Sequence, residues 1–201
     1  MKLYYSPGAC SLASNIIARE TNTPVTLVKT DIGSKTYEGG GDFSKINPLG
    51  YVPALELDDG TIITEGPSVL QYIADKAGNT SVSPAVGTPE RYKMLSWLTF
   101  ASTELHGPFG ALWSSTMPEA AKALARTKLT ARFNHLENHL TTNDFVTGTN
   151  FTLPDAYIFA VLGWAPMLKV DLSAYPKIQA YAARIAARPT VQAALKSEGL
   201  I

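Results

Sequence analysis

The sequence predicts a small α/β domain followed by an all-α domain. Strand-like and helix-like segments alternate up to Ala77. Gly78 to Pro89, rich in Gly, Ser, Thr and Pro, then has the composition of a linker. Beyond it every periodic segment has helical spacing and none alternates like a strand. The division is therefore 1–77 for the α/β part, 78–89 for the linker and 90–201 for the helical part.

Within the first part, Lys2–Tyr5 is a short β-rich run, punctuated by Ser6-Pro7-Gly8-Ala9. Ser11–Thr21 carries apolar residues at helical spacing, and Val25–Thr30 is rich in β-branched residues and strand-like. The polar, glycine-rich Gly33–Gly41 reads as a mobile loop. Ala54–Leu57 and Thr61–Thr64 flank Asp58-Asp59-Gly60, whose Asp-Gly pair suits the positive φ of a hairpin turn. Pro67–Ala77 is helical again, which completes the order of a small α/β domain. In the second part, helices are expected over Arg91 to about Gly110, Glu119–Leu140, Leu153–Leu168, Tyr175–Arg188 and Thr190–Lys196. Thr152-Leu153-Pro154-Asp155 fits a capping box, with Phe151 ahead of it as a staple residue facing Ala156.

Composition narrows the function classes. Lys+Arg and Asp+Glu number 17 each, leaving no basic field to gather nucleic acid or an anionic membrane. No apolar run approaches the roughly 18 residues of a membrane span, and Met1-Lys2-Leu3-Tyr4 does not open a signal peptide. One cysteine cannot make an intrachain disulfide. The expected home is a reducing cytoplasm.

That cysteine, Cys10, stands where the first strand hands over to a helix. A thiol there faces unpaired N–H groups and the positive end of the helix dipole, both of which favour a low-pKa thiolate. The alternative is a small, buried, inert residue closing a turn. Val52-Pro53 opens the next strand, where proline belongs at the first residue or an edge. Base rates favour a trans bond there. A cis bond instead turns the Val52 N–H and C=O outward, toward a peptide-like ligand. In Thr64-Glu65-Gly66-Pro67, the Gly66 amide lies at a helix start, suited to a carboxylate, and Glu65 can hold an ammonium. An amine and a carboxylate on one carbon are the head of an α-amino acid. Glu65 as an ordinary acid at a helix start fits equally well. Tyr92, Thr99, Thr103 and His106 share one stripe at α-helical spacing. His135 and His139 lie one turn apart, but Leu136 stands where the zinc-protease pattern needs Glu, and no third ligand is apparent. No metal is expected.

Cys10 after Tyr5-Ser6-Pro7-Gly8-Ala9, Val52-Pro53-Ala54-Leu55 and Thr64-Glu65-Gly66 together resemble the thioredoxin-like domain of cytosolic glutathione transferases. Trp97-Leu98-Thr99-Phe100-Ala101-Ser102-Thr103-Glu104-Leu105-His106 and Phe151-Thr152-Leu153-Pro154-Asp155-Ala156 resemble the bacterial beta class of that family. The resemblance runs nearly end to end. It implies the glutathione transferase fold, glutathione as co-substrate, no further cofactor, a homodimer, and a cis bond at Val52-Pro53. It assigns glutathione contacts to Cys10, Lys35, Val52, Pro53, Glu65, Gly66, Thr99, Thr103 and His106, with Glu104 supplied by the partner subunit. The beta class usually has Asn at the place of Thr99. The resemblance further implies Cys10, Ser11 and His106 as catalytic candidates, with Tyr5 at the place of a catalytic tyrosine in other classes. Ala9, Trp113, Met117, Trp164 and Met167 are expected to line the electrophile pocket.

Glutathione suits these groups: an amino-acid head for Glu65 and Gly66, a peptide middle for Val52, a terminal carboxylate for Lys35. The expected reaction is attack of the glutathione thiolate on an apolar electrophile. Lowering a thiol pKa of about 8.5 by two units takes about 2.7 kcal/mol, within reach of one or two hydrogen bonds to the charged sulfur. Two other readings use the same site. Cys10 could form a mixed disulfide with glutathione in thiol-transferase or peroxidase-like chemistry, by a monothiol route since position 13 is Ala. A non-catalytic ligand carrier on the same fold is the third.

Overall fold

In a computed structural model covering residues 1–201, six strands form one sheet. They are β1 (Lys2–Tyr5), β2 (Thr26–Asp31), β3 (Thr36–Tyr37), β4 (Gly41–Asp42), β5 (Ala54–Glu56) and β6 (Ile62–Thr64), in the spatial order β4-β3-β2-β1-β5-β6. Helix α1 (Ser11–Glu20) carries the chain from β1 to its parallel neighbour β2. The β5–β6 hairpin adds antiparallel to the other side of β1 and leads into α2 (Gly66–Lys76). The two faces of β1 serve different cores. Leu3 enters the large one, while Tyr4 packs with Phe43, Val52 and Ala54 in a small one.

Residues 33–41 are not the loop their composition suggests. β3 pairs with β2, and β4 pairs with β3. Asp31 accepts hydrogen bonds from the Gly33 and Ser34 amides at 2.8 and 3.2 Å, which closes the turn between β2 and β3. The Tyr37 ring lies directly over Gly41, leaving no space for a Cβ. Glycine here serves close packing. The Val52-Pro53 bond is cis, against base rates and as the family resemblance implies.

The helical half begins with α3 (Pro89–Thr99), which continues without a break through π-helical turns (Phe100–His106) into α4 (Gly107–Trp113). Then follow α5 (Glu119–His139), α6 (Leu153–Leu162), α7 (Pro176–Ala186) and α8 (Pro189–Ser197). Helix α6 ends at Leu162, short of the expected Leu168. Gly163 follows, and Pro166 disfavours helical backbone at the residue before it. The capping box of Thr152 and Asp155 is formed. Phe151 packs edge-on to Phe145 at 5.9 Å and under the Arg188 guanidinium at 4.3 Å, rather than gripping Ala156.

One apolar core runs through both halves. Helix α1 is its axis, packed against α2 on one side and α6 and α8 on the other, with residues 11–18 all buried. Arg91 of α3 is buried and ties the connecting segment to α2. It donates to Asp75 at 2.7 and 2.8 Å, to Gln71 at 2.9 Å, to the Pro84 carbonyl at 3.2 Å and to Ser83. No helix is long and apolar enough to cross a membrane.

Candidate active site

The loop Ser6–Cys10 is pinned by both halves of the chain. Ser11 accepts the Ser6 N–H at 3.2 Å and donates to the Ser6 carbonyl at 3.3 Å. Gly8 has φ +72°, a conformation that suits glycine. Its N–H is held by Glu198 Oε2 at 3.0 Å and its carbonyl by Trp164 Nε1 at 2.8 Å. Ser11, expected near the reacting sulfur, instead spends its single proton within the loop.

Cys10 caps α1 and is buried. Its Sγ donates to the Val52 carbonyl at 3.3 Å. Burial pushes the thiol up to about 12, and the Glu65 charge adds to the rise. The nearby Tyr157 hydroxyl and the amides of Cys10 and Ser11 act the other way. The helix start therefore exerts its expected pull, but desolvation outweighs it. The low-pKa thiolate expected from position alone is overturned.

The other groups converge on this end of the sheet. Lys35 donates to the Gly50 carbonyl at 2.9 Å and lies 5.6 Å from the Tyr51 ring, on the segment leading into Val52. Glu65 caps α2 with φ 65° and ψ 121°, outside the regions open to a residue with a side chain. Gly66 is buried, and a Cβ there would stand 2.5 Å from the Tyr157 ring. His106 Nδ1 lies 2.8 Å from Tyr157 Oη, and the imidazole meets Trp164 edge-on at 5.0 Å. Burial lowers the His106 pKa, so the ring is neutral at pH 7.

Tyr157 thus joins Gly66 and His106, and sequence reasoning missed it. The signal was present: after Asp155, Tyr157 is the only side chain in α6 with a hydrogen-bonding group. Glu198 and Asn15, which meet at 3.0 Å, were also unforeseen.

Several expected contacts are not brought to this point. Thr99 and Thr103 are exposed, and Thr103 donates back to the Thr99 carbonyl at 3.0 Å. The π-helical turns, bonded i→i+5, break the α-helical stripe and turn His106 inward while the threonines face out. Glu104 is engaged by its own chain, accepting from Arg132 Nε at 2.6 Å with Lys128 at 3.5 Å. Tyr5 is buried, which raises its pKa with help from Glu198 and Glu38. In the expected electrophile wall, Trp164 is buried and Trp113 meets it edge-on at 6.4 Å. Ala9 packs on the small core, Met117 is half-buried and Met167 exposed. His135 and His139 pack on Trp97 at 5.5 and 4.5 Å, and His139 Nε2 lies 2.9 Å from the Val146 carbonyl.

The cis bond does not free the Val52 carbonyl as expected, because it accepts the buried Cys10 thiol. Chemically, the arrangement offers an anionic side chain at a helix start, a cation, a thiol and a neutral imidazole. These suit a small zwitterionic peptide that carries sulfur. Residues 9–76 match the family description "Glutathione S-transferase, N-terminal domain", and residues 94–189 match "Glutathione S-transferase, C-terminal domain". The chain is 43% identical over 200 residues to glutathione S-transferase GstA of Escherichia coli O157:H7, covering all of both chains. A sphingomonad glutathione S-transferase complexed with glutathione superposes with a TM-score of 0.95, at 43% identity and full coverage of both chains. The bacterial beta class enzyme of Sphingomonas chungbukensis superposes with a TM-score of 0.96, again at 43% identity and full coverage of both. The chain belongs to the glutathione S-transferase family.

Proposed function

We propose that this protein is a glutathione transferase, joining the glutathione thiolate to apolar electrophiles. The observation that carries the reading is Glu65. A side-chain-bearing residue held at φ 65° and ψ 121° at the start of α2 is a strained position, and such strain concentrates at ligand sites. It sets an exposed carboxylate next to the first free amides of α2 and beside Cys10 and Tyr157. We assign Glu65 to the glutathione ammonium, the Gly66 amide to its α-carboxylate and the Val52 backbone to its peptide unit. Lys35 takes the glycine carboxylate, and Pro53 fixes the Val52 backbone. Cys10 and His106 flank the sulfur. Trp113 and Trp164, with Ala9, Met117 and Met167 around them, form the electrophile side.

A protonated, buried Cys10 is a poor nucleophile for a mixed disulfide, so conjugation is favoured over thiol-transferase chemistry. We also propose a homodimer, a cytoplasmic location, and the division 1–77, 78–89 and 90–201 as functional units. Turnover of glutathione with an activated aryl halide tests the activity directly; no turnover at saturating glutathione refutes it. Glu65→Gln should weaken glutathione binding by about 1.5–3 kcal/mol, the worth of a charge-assisted hydrogen bond. Unchanged affinity by calorimetry would remove Glu65 from the site.

A further inference from the structure

We propose that Gly50 and Tyr51 form a seat for the Lys35 ammonium, and that this seat selects for peptides ending in a free carboxylate. The selectivity rests on the reading in which Lys35 meets the glycine carboxylate of glutathione. Lys35 is a half-buried cation, and none of the chain's ion pairs includes it. Its Nζ donates one hydrogen bond, to the neutral Gly50 carbonyl at 2.9 Å. An ammonium has three N–H donors, so two remain for an anion. Gly50 shapes the path of the side chain. A Cβ there would stand 2.7 Å from Lys35 Nζ and 2.8 Å from its Cδ and Cε, so the stem lies flat across the glycine. The Tyr51 ring centre lies 5.6 Å from the same Nζ, within reach of a cation–π contact.

The backbone holds both sides of the seat. Lys35 stands at φ 58° in the turn between β2 and β3, and its carbonyl accepts the Phe43 amide at 2.8 Å. Opposite it, the buried Asn47 closes the loop that carries Gly50 and Tyr51. Asn47 Nδ2 donates to the Tyr51 carbonyl at 2.7 Å, and its Oδ1 accepts the Leu49 amide at 3.1 Å. The Asn47 carbonyl accepts the amide of Gly50, itself at φ +67°, at 2.8 Å. A lysine stem fixed in this way has given up rotamer freedom before a ligand arrives. A carboxylate then meets the charge without the cost of ordering it. A neutral chain end gains little, because what the seat fixes is a charge. Lys35 and Glu65 are both side-chain-bearing residues at positive φ, and they serve the two proposed ends of the same peptide.

Calorimetry with two peptides reads the seat: glutathione, and glutathione amide, in which a neutral carboxamide replaces the glycine carboxylate. The parent should bind the amide at least about tenfold more weakly, as expected for loss of a charge-assisted hydrogen bond. Lys35→Met should bind the two equally. Tyr51→Leu should bind glutathione about two- to fivefold more weakly, the worth of an exposed cation–π contact, with no change for the amide. Tyr51→Phe keeps the ring and should restore the parent's preference. Gly50→Ala should narrow the preference as well, because its Cβ pushes the stem aside. A preference equal to the parent's in Tyr51→Leu or Gly50→Ala, or equal losses for both peptides, overturns the seat. If Lys35→Met keeps the parent's preference, Lys35 does not meet the carboxylate, and that reading falls together with the selectivity. If Lys35→Met loses the preference while Tyr51→Leu keeps it, the reading stands and the seat alone is refuted.

Discussion

At Gly66 the chain accepts one residue type for a reason of distance. A Cβ would stand 2.5 Å from Tyr157 Cε2 and 3.2 Å from its hydroxyl. Gly66→Ala therefore has to displace the ring that bonds His106, and overpacking of this kind costs about 1–3 kcal/mol. We expect a lower melting temperature together with a changed His106 titration, measured by NMR. A variant unaltered in both would mean that the ring can yield without cost. Cys10 shows how far one residue could be read from sequence. Its place at a helix start was legible, and so was the direction of the helix's influence. Its burial was not, because the residues that cover it belong to segments distant in the chain, Val52 and Tyr157 among them.

Among the elements, α6 is held by a concentrated polar site. Asp155 accepts from the Thr152 amide and hydroxyl at 2.8 and 3.0 Å, the Val146 amide at 3.0 Å and the Tyr181 hydroxyl at 2.8 Å. Burial outweighs these bonds and raises its pKa from 3.8 to about 6. A raised carboxyl pKa means that the folded chain holds this proton more tightly than the unfolded one. The associated stability is complete below pH 3.8 and is lost as pH rises through about 6. The stability advantage of the parent over Asp155→Asn should therefore shrink between pH 4 and pH 7 in denaturant titrations. An advantage that grows over that range would contradict the sign. The capping box was readable because its signal is local, two side chains three residues apart. β3 and β4 were not, because two-residue strands carry no periodic pattern and depend on how Tyr37 covers Gly41. The π-helical turns had a signal that went unused. Pro108 clashes with the carbonyl four residues back in an α-helix, and wider turns just before it relieve that clash.

For the whole molecule, the order of strands and helices followed from the sequence apart from β3 and β4, while the single core spanning both halves did not. Periodicity marks a buried face without naming the partner, and α1 has one in each half. Family motifs marked Cys10, Glu65, Gly66 and His106, but also Thr99, Thr103 and Glu104, which the structure does not bring to them. They were silent at Tyr157, a lone hydroxyl in an apolar helix. Leu49, Tyr51, Val86 and Tyr92 leave large apolar side chains in water, between 60% and 79% exposed. The proposed pairing of two chains is tested by mass. Sedimentation at micromolar concentration should give about twice 21.6 kDa. A monomer that binds glutathione fully would exclude any role for the partner's Glu104. The hold on Gly8 also bears on how the chain is made. Glu198 lies 190 residues beyond the glycine whose amide it grips, and Trp164 lies 156 residues beyond it. During synthesis on the ribosome the sheet and α1 emerge long before either grip exists. The loop in front of Cys10 takes its final shape only after the last helix has left the exit tunnel, so a nascent chain stalled before Glu198 carries the cysteine without its finished setting.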